Sequence, residues 1–313
     1  MNINHTQLLS NWDIGKTKSI EEVDSFSNEV YLITTKAEEK YILKSQDDSD
    51  KINREASLLS NLQKNVPIAY PIKTRINSYY VKENDKYYVL YPFLEGQSFT
   101  DHYNNNPIEK AKLLGEVAGK LHYYLKDIES DEVKSMNLKN NVLEWSKEII
   151  KKNQDHFDFE FILTVMNNFK KEMTPVYSEL PKQIIHRDLH PGNILFQDKE
   201  VTGIVDFELS VEGVRIFDPC YCATSMLVSD IEDKVKRKKW IELLLTILKG
   251  YNKKNNLNDV EIANIINILY SIQLIFMAYS CTIDDHEAAK CNENVLKWLF
   301  KNRYLIEEKV ALL

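Results

Sequence analysis

The sequence predicts an α+β chain in two parts, a smaller β-rich N-terminal part over residues 1–95 and a larger, mostly helical part over 96–313. Three observations carry this. Up to Pro92 the apolar residues fall in short β-rich runs, and beyond Gly96 they recur at helical spacing. Within the helical part, one strand–loop–strand island over Gln183–Glu208 gathers polar residues suited to chemistry. A length of 313 residues suffices for about two sizeable cores. With only eight glycines, well below the roughly 7% of average usage, the chain is poor in irregular loops.

The opening MNINHTQLLSNWDIGK has neither a basic start nor a long apolar core, so no signal peptide is expected. Cys220, Cys222, Cys281 and Cys291 show neither zinc-site spacing nor the framework of a small secreted protein, and a cytoplasmic location is expected. Glu29–Thr35 and Lys40–Lys44 read as a hairpin around the polar turn Lys36–Glu39, ending on Lys44. Asp50 is placed to cap a helix with Ile52, Ala56, Leu59 and Leu62 on one face and Glu55 one turn in. Ser78–Lys82 and Lys86–Tyr91 form a second hairpin, leading into Pro92-Phe93-Leu94-Glu95-Gly96, where the boundary between the parts is expected. Pro92 has no N–H and offers only its carbonyl, whereas Leu94 keeps a free amide, giving one acceptor and one donor two residues apart.

Beyond the boundary, Asn106, Pro107 and Glu109 predict a capping-box start to a helix with Leu114, Val117, Ala118, Leu121 and Leu125 on one face. His122 is expected to be a satisfied core residue of that helix. Asp127–Lys182 reads as an extra helical pair. Further stripes run through Leu138, Val142, Trp145 and Ile149; through Trp240, Leu243, Leu244, Ile247 and Leu248; and through Val295, Trp298, Leu299 and Leu305. Ile262–Tyr279 is the one candidate membrane span, but Asn264, Asn267 and Ser271 share a helical face, which favours a buried helix with a polar edge.

In the island, Ile184-Ile185 reads as a buried strand and His186–Asn193 as a loop bent by Pro191 and Gly192. A second strand leaves through Ile194-Leu195-Phe196, and after a turn near Gln197–Glu200 the chain returns to Asp206 at a strand end. Phosphoryl transfer from ATP needs such a set: one carboxylate to accept the proton of the attacking hydroxyl, and an amide oxygen with a second carboxylate to hold magnesium on the phosphates.

This stretch, QIIHRDLHPGNILF through IVDFE, resembles the catalytic and metal loops of the aminoglycoside phosphotransferases and choline kinases, relatives of the protein kinases. The resemblance implies a two-lobed, protein-kinase-like fold. It makes Asp188 the catalytic base, Asn193 and Asp206 the magnesium ligands, and His186 a packing residue beneath the loop. Lys44 would be the cation on the α/β-phosphates of ATP, held by Glu55 of the neighbouring helix. Pro92 and Leu94 would hold the adenine through their main chains. LLGEVAGKLH resembles the helix behind the catalytic loop, and Asp218 would brace that loop. Two departures stand out. The phosphate-covering turn is Asp24-Ser25-Phe26-Ser27-Asn28, without a glycine, so Ser27 and Asn28 would have to supply its donors. Glu208 occupies the place where protein kinases carry glycine after Asp-Phe, which suits a metal loop that does not flip.

The expected activity is ATP- and magnesium-dependent phosphorylation of a small-molecule hydroxyl, the acceptor being an aminoglycoside, a choline-like compound or a sugar. Asp284, Asp285 and Glu287, with Glu208 and Glu212, would suit a cationic acceptor. A net charge of −7 speaks against nucleic-acid or anionic-membrane binding, and no protein partner is implied. Two other readings are a nucleotide-binding pseudokinase, favoured by the missing glycines, and a metal-dependent hydrolase using His186, Asp188 and His190.

Overall fold

The computed structural model describes residues 4–24, 29–128 and 133–313. The chain divides into two compact units, Met1–Gln97 with Leu195–Glu208, and Ser98–Ile194 with Leu209–Leu313.

The first unit is built on a five-stranded antiparallel sheet of β1 (Thr17–Val23), β2 (Val30–Thr35), β3 (Lys40–Gln46), β4 (Val81–Glu83) and β5 (Lys86–Pro92), in the order β1-β2-β3-β5-β4. Alternation along β5 divides its side chains between two buried faces. Tyr88 and Leu90 pack with Leu43, Ile33, Trp12 and the short helix α1 (His5–Leu9), while Val89 and Tyr91 pack with Ile52 of helix α2 (Ser49–Leu62). The register pairs Lys44 with Val89 and Ile42 with Tyr91, which puts Lys44 on the face that α2 covers. The cap of α2 is Asp48, not the predicted Asp50: its carboxylate accepts the Asp50 N–H at 2.8 Å. In the run DDSD the Asp48 carboxylate reaches forward two residues to take the cap and leaves Asp50 inside the first turn.

The second unit is mainly helical, with one small sheet in which Lys182–Ile185 pairs antiparallel with Val211–Val214. Helix α3 (Pro107–Leu125) begins at Asn106 without a capping box; that residue is left-handed, with φ 64°, and its side chain makes no cap bond. From this left-handed backbone the side chain does not reach the first-turn amides, so the motif is present in sequence and absent in geometry. Glycine lets α3 approach the helix Lys234–Asn252 closely. A Cβ at Gly115 would overlap the carbonyl of Ile247, and one at Gly250 would lie 2.7 Å from that of Lys112.

The predicted helical pair between α3 and the small sheet is present as Leu138–Lys152 and Phe159–Val176, but its first stripe is out of phase. Asn141–Ser146 is a π-helical turn, whose wider winding shifts the buried face of the next turns by about one residue. Ser146 and Ile150 are therefore buried in place of Trp145 and Ile149, and Trp145 is 39% exposed. The stripe Trp240–Leu248 is fully buried as predicted. The stripe through Leu305 fails because the helix His286–Lys301 ends at Asn302 and a new one begins at Arg303, leaving Leu305 exposed.

The long apolar stretch is the core helix Asp259–Thr282, with most of its length enclosed by the second unit. Part of its polar edge finds partners within the protein: Asn267 donates to Glu172, itself clamped by Arg303 through bonds of 2.8 and 2.9 Å, and Ser271 donates to the carbonyl of Ile268, whereas the Asn267 side-chain oxygen and the buried Gln273 amide have none among the described residues.

Candidate active site

In the first unit, alternation along β3 aims Lys44 toward the end of the strand Glu200–Ile204, after which the chain turns through Asp206. The Lys44 ammonium lies 2.7 Å from Asp206 Oδ1 and 3.3 Å from Glu208 Oε2. Its side chain is only 13% exposed, and burial works against its charge, but the two carboxylates outweigh burial and hold its pKa well above the ordinary lysine value. Asp206 has φ 64°, a left-handed turn that aspartate tolerates better than most residues, and its carboxylate is nearly half exposed.

Glu55 is near Lys44 without closing a salt bridge to it; its carboxylate instead accepts a hydrogen bond of 3.2 Å from the Tyr91 hydroxyl. Burial raises the Glu55 pKa to about 7, an effect that the Lys44 ammonium and the Tyr91 bond only partly offset and that the charges of Glu208 and Asp206 reinforce. The expected lysine–glutamate pair is thus replaced by a lysine shared between Asp206 and Glu208. Glutamate at position 208, unlike the glycine of protein kinases, supplies that second carboxylate.

Pro92 closes β5 opposite Tyr41, and the next amide, that of Phe93, donates to the carbonyl of Lys40. Leu94 lies just outside the strand; Gly203 leaves room for its side chain, since a Cβ there would meet Leu94 Cδ1 at 2.7 Å. Ser27 and Asn28 lie outside the described residues.

In the second unit, the loop after Ile185 is held from below by Asp218, near the start of the helix Phe217–Val228. Its carboxylate accepts the amides of His186 at 2.7 Å and Arg187 at 2.9 Å, and lies 2.8 Å from Nε2 of His122. His122, fully buried, has its other nitrogen 2.9 Å from the Tyr251 hydroxyl, so both ring nitrogens are satisfied. Arg187 takes φ 70° at the bend, and the two bonds to Asp218 help to hold that conformation.

Asp188 leaves this bend with its carboxylate held on both oxygens. Tyr221 donates to Oδ1 at 3.0 Å and the Asn193 amide nitrogen to Oδ2 at 3.1 Å, while that same nitrogen is 2.9 Å from the Asp188 carbonyl. With its NH2 group committed to Asp188, Asn193 turns its oxygen, the atom that can bind a hard cation, the other way. Tyr221, on the helix Phe217–Val228, is a residue that the sequence reading misses. The available signal is its position one helical turn after Asp218, which places both side chains toward the same loop.

The three residues of the hydrolase reading do not form a metal site. His186 Nδ1 accepts the Asp188 amide and His190 Nδ1 accepts the Gly192 amide, so in each neutral ring the remaining nitrogen carries a proton. Among the described residues no group of three His, Cys, Asp or Glu side chains is placed to hold a metal. Of the acidic residues expected to draw a cationic acceptor, Asp285 caps the helix His286–Lys301 and Glu208 pairs with Lys44.

The family described as the phosphotransferase enzyme family matches residues 19–253 of the chain. A homoserine kinase from Zymomonas mobilis is 26% identical over 279 residues, covering 85% of this chain and 81% of that protein. Among solved structures, an amicoumacin kinase in complex with AMP-PNP and Ca2+ superposes with a TM-score of 0.69 at 19% identity, over 97% of this chain and 92% of its own. A microcompartment-associated aminopropanol kinase does so with a TM-score of 0.69 at 14% identity, over 97% and 98%.

Proposed function

Because the chain belongs to the phosphotransferase enzyme family, we propose that it is an ATP- and magnesium-dependent kinase that phosphorylates the hydroxyl of a small molecule. The observation that carries this reading is the Asp188–Asn193 pair, in which a carboxylate is oriented by an amide that keeps its own oxygen available. In the proposed reaction Asp188 takes the proton of the acceptor hydroxyl. The acceptor oxygen forms the new bond to the γ-phosphorus, and the bond to the leaving ADP breaks. Lys44 is the cation for the phosphates, and its ammonium is held by Asp206 and Glu208. Pro92 and Leu94 are proposed to hold the adenine, and Ser27 and Asn28 to cover the phosphates.

Asp206 and Asn193 are the proposed magnesium ligands, and both carry hard oxygen donors of the kind that ion prefers. Bound magnesium supplies neutralisation of phosphate charge. Asp206 has a second carboxylate oxygen beyond the one that meets Lys44, so the donor sets of both residues fit the ion.

For the acceptor, the homoserine kinase relative favours a small hydroxylated metabolite with an amino group, and homoserine is the first compound to test. The test is ATP consumption with magnesium against homoserine, aminopropanol, choline, sugars and aminoglycosides, using parent protein and Asp188→Asn. Turnover with one acceptor that falls about 10²–10⁴-fold in the variant is the expected result. Mg-ATP binding without transfer to any hydroxyl would instead favour the pseudokinase reading.

A further inference from the structure

We propose that Tyr221 is a positioning residue for the phosphoryl-transfer step, fixing the plane of the Asp188 carboxylate through its hydroxyl; the inference rests on the reading of Asp188 as the base. A base must present one lone pair to the acceptor hydroxyl, and a carboxylate on a single χ2 torsion turns freely unless both oxygens are held. Asn193 holds Oδ2 at 3.1 Å and Tyr221 holds Oδ1 at 3.0 Å. With either bond alone, the carboxylate could pivot about the remaining one.

The tyrosine is itself held in place. Its ring lies parallel to that of Phe276, with centroids 4.9 Å apart and planes 5° from parallel, and the Phe217 ring sits 6.1 Å away at 27°. The His190 ring meets it edge-on at 6.2 Å. Phe217 shares the tyrosine's helix and Phe276 belongs to the core helix Asp259–Thr282, so the hydroxyl is aimed from two rigid elements. Burial and the negative charge of Asp188 both push the phenol pKa well above its ordinary value. The hydroxyl therefore remains a donor wherever Asp188 is ionised. A tyrosine that merely stapled the helix to the loop would contribute to stability alone. One that orients the base contributes to turnover.

The two roles separate in Tyr221→Phe, which keeps the ring and its stack and deletes only the donor. With the acceptor identified by ATP consumption, kcat is expected to fall about 10- to 100-fold, the worth of a hydrogen bond to a charged group, while KM for Mg-ATP stays within about twofold. In an Asp188→Asn background, the same substitution is expected to change the residual kcat by less than about twofold, because the group it orients is gone. Parent-like kcat in Tyr221→Phe overturns the inference while leaving Asp188 in place. So does a full loss that repeats on Asp188→Asn, which would mark a structural effect. If Asp188→Asn is as active as the parent, the reading of Asp188 fails first and the inference falls with it.

Discussion

Substituting Glu55 by Gln should change how the stability of the unliganded protein depends on pH. Glu55 is 7% exposed, and burial, only partly offset by Lys44 and by the Tyr91 hydroxyl, raises its pKa to about 7 from an ordinary 4.5. In the folded protein it holds its proton over a range where the unfolded chain has released it. Its contribution to stability is therefore fully present below about pH 4.5 and is lost as pH rises through about 7. At 1.36 kcal/mol per pKa unit, the lost contribution comes to about 3 kcal/mol. Glutamine keeps the shape and a hydrogen-bonding group for Tyr91 but cannot ionise. Urea unfolding of both proteins at intervals from pH 4.5 to 8, without nucleotide, reads the effect directly. Relative to the parent, Glu55→Gln should gain about 3 kcal/mol of stability across that window, with most of the change between pH 4.5 and 7. Two curves that stay parallel within about 0.5 kcal/mol would refute the argument, since the carboxylate would then ionise alike in both states.

Asp206→Ala should abolish the magnesium-dependent part of the thermal stabilisation by ATP, and Asn193→Ala should weaken it less, because a charged ligand is lost in one and a neutral one in the other; parent-like shifts in both would place the metal elsewhere. Lys44→Ala should impair ATP binding or turnover far more than Ser27→Ala, a charge-assisted bond exceeding a neutral one by roughly twofold, and ADP should bind more tightly than adenosine by calorimetry. Equal affinities for adenosine, ADP and ATP would mean that phosphates are not gripped. Gly115→Ala should cost about 3 kcal/mol or more, visible as a lowered melting temperature, because the new methyl meets the Ile247 carbonyl and not a side chain that can turn aside; an unchanged melting temperature would mean the two helices part without cost.

Legibility in the sequence tracks the range of the forces involved. The hairpin that carries Lys44, whose second strand runs two residues further to Gln46, the bend at His186–Asn193 and the stripe Trp240–Leu248 depend on neighbours a few residues apart, and periodicity and turn chemistry expose them. The π-helical turn at Asn141–Ser146 defeats the same logic, because a fixed 3.6-residue period cannot anticipate one extra residue in a turn. Partner choice is harder still. Lys44 reaches Asp206 across 162 positions, and a strand lysine ahead of a helix glutamate gives no hint that Asp206 and Glu208 will take it.

Electrostatics accounts for that choice. A lysine facing three carboxylates meets the two that keep some contact with water, Asp206 and Glu208, while burial works against the charge of the enclosed Glu55. Glu55, only part ionised near pH 7 and bonded to a tyrosine, offers less charge than a fully ionised carboxylate. Nucleotide phosphates would compete for Lys44 with Asp206 and Glu208. On the proposed reading of Lys44, binding would exchange anions around a single cation.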